Sequence, residues 1–152
     1  MEALQLGAQL CFAMYSTTRS MTASYRPHLE DMGLTYPQYL VLLALWEHEE
    51  LTVKELGQKM RLDYGTVSPL TQRLEHSGLV ERRQSEHDGR VTVLRASAAS
   101  LALQPKALTM IESVFGGLGY TIDEIISLRD QINEYRRRLD KLIERDAAGR
   151  QA

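Results

Sequence analysis

Apolar residues recur along this chain at helical spacing almost from end to end, and the period shortens in one stretch only. From Leu4 to Tyr15 nearly every position is apolar or small: Leu4, Leu6, Ala8, Leu10, Cys11, Phe12, Ala13, Met14, Tyr15. A helix apolar all round belongs in a core or against a partner. Arg26-Pro27 predicts a break, because the residue before proline is pushed out of the α region, and a short segment then runs to Gly33, a left-handed C-cap. Thr35-Tyr36-Pro37-Gln38 reads as a capping box opening a helix with Tyr36, Tyr39, Leu40, Leu43 and Trp46 on one face. A second box, Thr52 to Glu55, opens a short helix with Val53, Leu56 and Met60 inward, and Arg61-Leu62 forms a tight link. Asp63 is an N-cap for a third helix carrying Val67, Leu70 and Leu74, closed at Ser77-Gly78-Leu79. Ser68-Pro69 is a competing start five residues later, since proline favours the first helical turn.

The period then drops to two. Leu79–Ser85 and Arg90–Arg95 read as strands, with Val80 in the first and Val91 and Val93 alternating in the second, joined by the turn Glu86-His87-Asp88-Gly89. Ser97 to Gly119 returns to a helical pattern interrupted by Pro105 and by Gly116-Gly117-Leu118-Gly119. A third box, Thr121 to Glu124, opens a long helix. Its stripe is Ile122, Ile125, Ile126, Leu128, Ile132, Tyr135, Leu139, Leu142 and Ile143, opposite Arg136-Arg137-Arg138, with residues 147–152 expected to fray.

Charge changes this picture in one place. The 152 residues carry a formal −2, so a uniformly basic nucleic-acid coat is absent. Residues 53–95 are the positive part, with eight Lys and Arg against six Asp and Glu, whereas residues 1–52 carry two against six. An excess that small also fits an ordinary solvated surface. Composition is that of a globular chain, and no apolar run reaches the roughly 18 residues of a membrane span. The acidic start, with no Lys or Arg before Arg19, leads us to expect no secretory signal and a cytoplasmic protein. One cysteine excludes a disulfide framework within the chain. His28, His48, His76 and His87 lack metal-site spacing, so no metal or cofactor is expected.

Two short helices on a tight link, the second followed at once by a hairpin, form a winged helix-turn-helix. The expected fold is therefore mainly α with a small β-hairpin wing. Hydroxyls suit phosphates and base edges, Gln pairs with adenine and Arg reads guanine. The candidate DNA contacts are accordingly Asp63, Tyr64, Thr66, Ser68, Gln72 and Arg73 on the second helix, with Pro69 among them and Arg82 on the hairpin that follows. The plainer reading of the same residues is an N-cap and a solvent-facing polar side on a three-helix domain.

Leu34-Thr35-Tyr36-Pro37-Gln38-Tyr39, Leu51 to Leu56, Leu62 to Leu70 and Asp88-Gly89-Arg90 resemble the MarR family of bacterial transcription regulators. More narrowly, they are similar to its organic-hydroperoxide-sensing branch, the OhrR repressors, from about Leu10 to Val93. The resemblance implies a homodimeric winged-helix repressor, not an enzyme, that binds double-stranded DNA at a pseudo-palindromic operator. It divides the chain into N-terminal dimerisation and sensor helices (1–34), the winged helix-turn-helix (35–95) and C-terminal dimerisation helices (96–152). It places the start of the recognition helix near Asp63 despite Pro69, and it implies that Arg90 reaches DNA while Asp88 holds it. Two departures stand out: Tyr64 occupies the place of a small Ser, and Arg95 to Ser100 lacks the usual Leu-Thr-x-x-Gly start of the next helix.

Cys11, in its apolar helix and with no linear neighbour that lowers its pKa, reads by itself as a small buried hydrophobe. The resemblance implies instead that it is the redox sensor for an organic hydroperoxide. Tyr25 and Tyr36 would hydrogen-bond its sulfur from the other subunit, and Tyr15, one turn away, would line the pocket. With no second cysteine in the chain, the sulfenic acid would condense with a low-molecular-weight thiol, bridge to another protein or oxidise further, and a direct Cys11–Cys11 bridge across the dimer stays open beside these. Two other readings compete: a MarR-type repressor released by a small aromatic ligand with Cys11 structural, and a thiol peroxidase.

Overall fold

A computed structural model describes residues 2–85 and 88–150. Contacts divide the chain into two compact units, Met1–Val114 and Phe115–Ala152. In the first, two 3-10 turns, Glu2–Leu4 and Leu6–Ala8, precede helix α1 (Leu10–Asp31), so the α-helix begins later than the apolar run that starts at Leu4. The break expected at Arg26-Pro27 does not occur, because α1 runs through Pro27. Pro27 forfeits a single bond, to the Ala23 carbonyl, near the end of a 22-residue helix on an exposed side, so the cost stays local. The helix ends as its sequence implies, with Gly33 at φ 68° and the Leu34 amide on the Leu29 carbonyl.

Helix α2 (Tyr36–Glu47) follows, with the Thr35 amide and hydroxyl both on Gln38 Oε1. Its buried residues are Tyr39, Val41, Leu42 and Leu45, while Tyr36, Leu40, Leu43 and Trp46 are half-buried. The expected stripe was thus only partly the inner one: α2 is apolar on every side, and spacing alone does not choose among its faces. Next come β1 (Leu51–Thr52), a strand the pattern did not reveal, and α3 (Val53–Met60), capped by Thr52 and Glu55 and burying Val53 and Leu56, with Met60 half-buried. Arg61 takes the left-handed conformation, φ 57°, to make the link. The turn is so close that a Cβ on Gly57 would sit 2.9 Å from the Leu62 carbonyl oxygen, which only glycine avoids.

Helix α4 (Tyr64–His76) starts at Asp63, whose carboxylate accepts the Thr66 amide at 2.9 Å, so Pro69 lies within the helix. Val67, Thr71 and Leu74 face inward with no exposed surface. Strands β2 (Val80–Gln84) and β3 (Thr92–Ala96) form the hairpin, and β1 pairs with the far side of β3 in the order β1-β3-β2, all antiparallel. The register sets Val80 against Ala96, Arg82 against Leu94 and Leu51 against Leu94. Val80, Arg82 and Leu94 therefore share the inner face, which corrects the expected alternation: Leu94 is fully buried, and Val91 and Val93 are half-exposed. Of the expected turn, Glu86 and His87 lie outside the described residues.

The stretch from Ser97 divides at Leu103 into α5 (Ala98–Leu101) and α6 (Gln104–Gly116), with Pro105 in the first turn of the latter, where its missing amide costs nothing. The second unit holds α7 (Ile122–Gly149), opened by the Thr121–Glu124 box. It stays helical through residues 147–149, where fraying was expected. None of its residues is buried in the protomer. Among the described residues no helix is long and apolar enough to cross a membrane. The architecture is a mainly helical winged helix with a three-stranded antiparallel sheet.

Candidate functional site

The outward face of α4 follows from the inward one. With Val67, Thr71 and Leu74 turned to the core, Tyr64, Gly65, Thr66, Pro69, Gln72 and Arg73 are left exposed, and Ser68 is half-buried. Asp63 and Thr66 are committed to each other, because the Thr66 hydroxyl also donates to Asp63 Oδ2 at 3.0 Å. These bonds to Thr66 hold the Asp63 carboxyl below its ordinary range. Among the described residues, the side chains of Tyr64, Gln72 and Arg73 are exposed on this face with no hydrogen-bond partner.

Arg90 stands at the wing with its side chain 95% exposed. Asp88 accepts its backbone amide at 2.9 Å and lies 3.6 Å from its Nε, so the carboxylate aims the arginine without burying it. Arg82, grouped with these from sequence, is different. Its Nη1 donates to Thr71 Oγ1 at 2.7 Å and reaches the Ser68 carbonyl at 3.5 Å, and its Nε lies 3.3 Å from Glu75. The strand's pleat points it at α4, so its guanidinium clasps the helix rather than facing solvent. The period-two spacing of Arg82 from Val80 carried that signal.

Sequence reasoning missed a groove of about 430 Å³ where the start of α3, the start of α4 and the wing converge. Lys54 and Gln58 line it beside Tyr64 and Arg90. Their position one turn apart on α3 was visible, but nothing in the spacing said that the wing would fold against it.

At the other end of this unit, Tyr25, Tyr36 and Tyr39 form a ring cluster, with centroids 5.6 Å apart for Tyr25–Tyr36 and 6.2 Å for Tyr25–Tyr39. Tyr39 joins the cluster from the α2 stripe, where helical spacing signals packing alone. Burial raises the pKa of all three, that of Tyr39 to about 12, so the phenols keep their protons at neutral pH. Neither the Tyr25 nor the Tyr36 hydroxyl has a hydrogen-bond partner among the described residues.

Cys11 is exposed on the first turn of α1, between the exposed Leu10 and Phe12. It lies 14 residues before Tyr25 on the same helix, about 21 Å along the axis, so the two cannot meet within one protomer. Tyr15 is also exposed and points elsewhere: its hydroxyl accepts from Arg19 Nη1 at 3.1 Å, with the guanidinium 5.7 Å from the ring centre.

The MarR family model matches residues 34–92, the segment that runs from just before α2 through α3, α4 and β2 to the first residue of β3. The chain is 42% identical over 113 residues to the organic hydroperoxide resistance transcriptional regulator of Bacillus subtilis, covering 74% of this chain and 77% of that one. The AbfR protein of Staphylococcus epidermidis, reduced and bound to DNA, superposes with a TM-score of 0.80 at 31% identity, over 94% of this chain and 98% of that one. Its disulfide-formed state gives 0.66, at 31% identity over 94% and 95%. With that fold, and with relatives alike over most of their length, the chain belongs to the MarR family of DNA-binding transcriptional regulators.

Proposed function

We propose that this regulator is a homodimeric repressor that holds a pseudo-palindromic operator and releases it when an organic hydroperoxide oxidises Cys11. Residues 1–34 would serve sensing and dimerisation, 35–95 reading, and 96–152 dimerisation. Tyr64, Gln72 and Arg73 would face base edges in the major groove, and Arg90, held by Asp88, would follow the wing to the backbone or minor groove.

One observation carries the sensor reading. Cys11 stands exposed in an apolar setting at one end of α1, while the protonated phenols of Tyr25, toward the other end, and of Tyr36, at the start of α2, have no hydrogen-bond partner among the described residues. A two-fold axis across α1 would bring the cysteine of one protomer to the phenols of the next. There two O–H donors favour the thiolate, and Leu10 and Phe12 favour a peroxide with an apolar tail. The thiolate would attack the distal peroxide oxygen. The O–O bond breaks, the alcohol leaves with a proton, and the sulfur becomes a sulfenic acid, which a small cellular thiol converts to a mixed disulfide and water. The name of the Bacillus relative and the occurrence of AbfR in reduced, DNA-bound and disulfide forms support this chemistry.

A second reading, release by a small aromatic ligand, draws on a cavity of about 350 Å³ lined by His28, Asp31, Met32, Lys106, Thr109 and Met110. Gel shift on the DNA upstream of the protein's own gene separates the two. With the sensor, cumene hydroperoxide releases the wild-type protein, while Cys11→Ser binds normally and ignores it. If Cys11→Ser is still released, the sensor assignment fails; release by salicylate and not by peroxide establishes the ligand reading.

A further inference from the structure

A continuous set of contacts joins the tyrosine cluster to the C-terminal end of the reading helix. Tyr39 meets Trp46 edge-on, ring centres 6.4 Å apart, one face of α2 carrying both. The Trp46 Nε1–H donates to Ser100 Oγ at 2.8 Å. The Ser100 amide donates to Ser97 Oγ at 3.1 Å, and that hydroxyl donates to the Gly78 carbonyl at 2.7 Å. Gly78, at φ 71°, is the residue on which α4 terminates, and the Ser97 amide bonds the Leu79 carbonyl beside it. Ser100 is fully buried and Ser97 is 8% exposed.

Burial makes the serine links costly to break. A hydroxyl cut off from water costs free energy unless it is paired, so Ser97 and Ser100 cannot shift alone without orphaning a neighbour, and the half-buried Trp46 is tied to Ser100. Ser97 has no spare capacity for its proton, since its one O–H is spent on Gly78 while its lone pair caps α5. Helix α2 is a rigid rod of 12 residues with Tyr36 at one end and Trp46 near the other. A change in its set at the tyrosine end thus has a contact route to Ser100 through Trp46.

We infer that Ser97 and Ser100 are positioning residues for DNA reading, holding the carbonyl end of α4 at a set fixed by Trp46 and, through it, by the tyrosine cluster. As a route for an oxidation signal this rests on the sensor role of Cys11; as a positioning role it stands apart from it.

The test compares affinity for the footprinted operator duplex and for a scrambled duplex of the same length at fixed salt. Ser97→Ala and Ser100→Ala each lower the operator-to-scrambled ratio about tenfold, the size expected for one orphaned buried group, and leave scrambled-duplex binding within about twofold. Ser97→Thr, which keeps the hydroxyl, restores the ratio. Trp46→Phe with Ser100→Ala is no worse than Ser100→Ala alone, because both partners are then gone. Thermal unfolding of each variant identifies the folded fraction, and a purely structural role would weaken both duplexes equally. An unchanged ratio in both alanine variants, or equal loss on both duplexes, overturns the positioning role. Trp46 is the chain's one tryptophan, so its emission reads the junction directly. On addition of cumene hydroperoxide it shifts in step with operator release in the wild type and not in Ser100→Ala. Operator release with unchanged Trp46 emission removes the route while leaving the sensor intact; a wild type that ignores peroxide removes the sensor and leaves the duplex comparison to decide the positioning role.

Discussion

The winged helix and α7 are built from the same residue types at the same helical spacing, yet they end in opposite states. Leu42, Leu45, Leu56, Val67, Leu74 and Leu94 are all sealed within the protomer. The stripe of α7 stays open, with Ile132 at 44%, Leu139 at 39% and Leu142 at 43% exposure. What holds α7 in shape locally is its cap and the ion pairs of Arg137 and Arg138 with Glu134 and of Arg136 with Asp140. Such pairs contribute only about 0.2–0.5 kcal/mol each, too little to order a 28-residue helix without burial. Periodicity thus identifies which face will be covered and leaves open by what. The reading part carries its own core, whereas α7 requires apolar surface from outside its own unit.

The largest expected effect comes from removing that requirement. Ending the chain after Leu128 should yield a monomer in sedimentation and lower operator affinity by about 100-fold or more, because two half-sites then bind independently. The near-ultraviolet dichroism of the winged helix should survive. A truncated chain that remains dimeric and binds the operator tightly would break the comparison.

A smaller effect separates the two wing arginines. Arg82→Ala removes the clasp on Thr71 and leaves Glu75 without its cation, so urea unfolding should show a loss of about 1–3 kcal/mol. Arg90→Ala should leave unfolding unchanged and flatten the salt dependence of DNA binding by about one unit of slope, the loss of one phosphate contact. If Arg90→Ala leaves both the affinity and the slope unchanged, the hairpin is not a DNA-contacting wing.

The smallest effect sharpens the contrast through two equivalent caps. Glu55 and Glu124 are both held below the ordinary 4.5 by the backbone amide and hydroxyl of Thr52 and Thr121. A carboxylate depressed in the folded state contributes stability above its ordinary value and loses it as pH falls through the folded one. Acid titration of helicity should therefore show a loss below about pH 4.5 that Glu124→Gln flattens. Glu55→Gln should change less, because buried Val53 and Leu56 hold α3 in place. Equal responses would mean that α7 has as much burial behind it as α3.

Caps were the most legible feature of the chain. Thr35, Thr52, Asp63 and Thr121 each open a helix where their side chains imply, since a cap is a local bond between residues three apart. Pro27 escapes the local rule because the cost of one missing amide depends on the length of helix around it. β1 escaped notice because two residues have no period, and they become a strand only when β3 arrives beside them. Arg82 was read by its charge when its register with Val80 spoke for its direction. Ser97 and Ser100 looked like a departure from the family pattern, and their partners lie 19 and 54 residues away, beyond any local signal. For the site, the sequence marked the faces and the donors, but not the groove at Lys54 and Gln58, which exists only once helix and wing have met.

The two-residue strand β1 also bears on how the protein behaves at high concentration. A bare sheet edge is a template on which other chains can lay down strands. Here β3 is enclosed, with one neighbour only two residues long, too short to seed a ladder. The remaining edge, β2, exposes the charged side chains of Glu81 and Arg83, which an added strand would have to accommodate. The hairpin can thus stay exposed without offering a long bare edge to other chains.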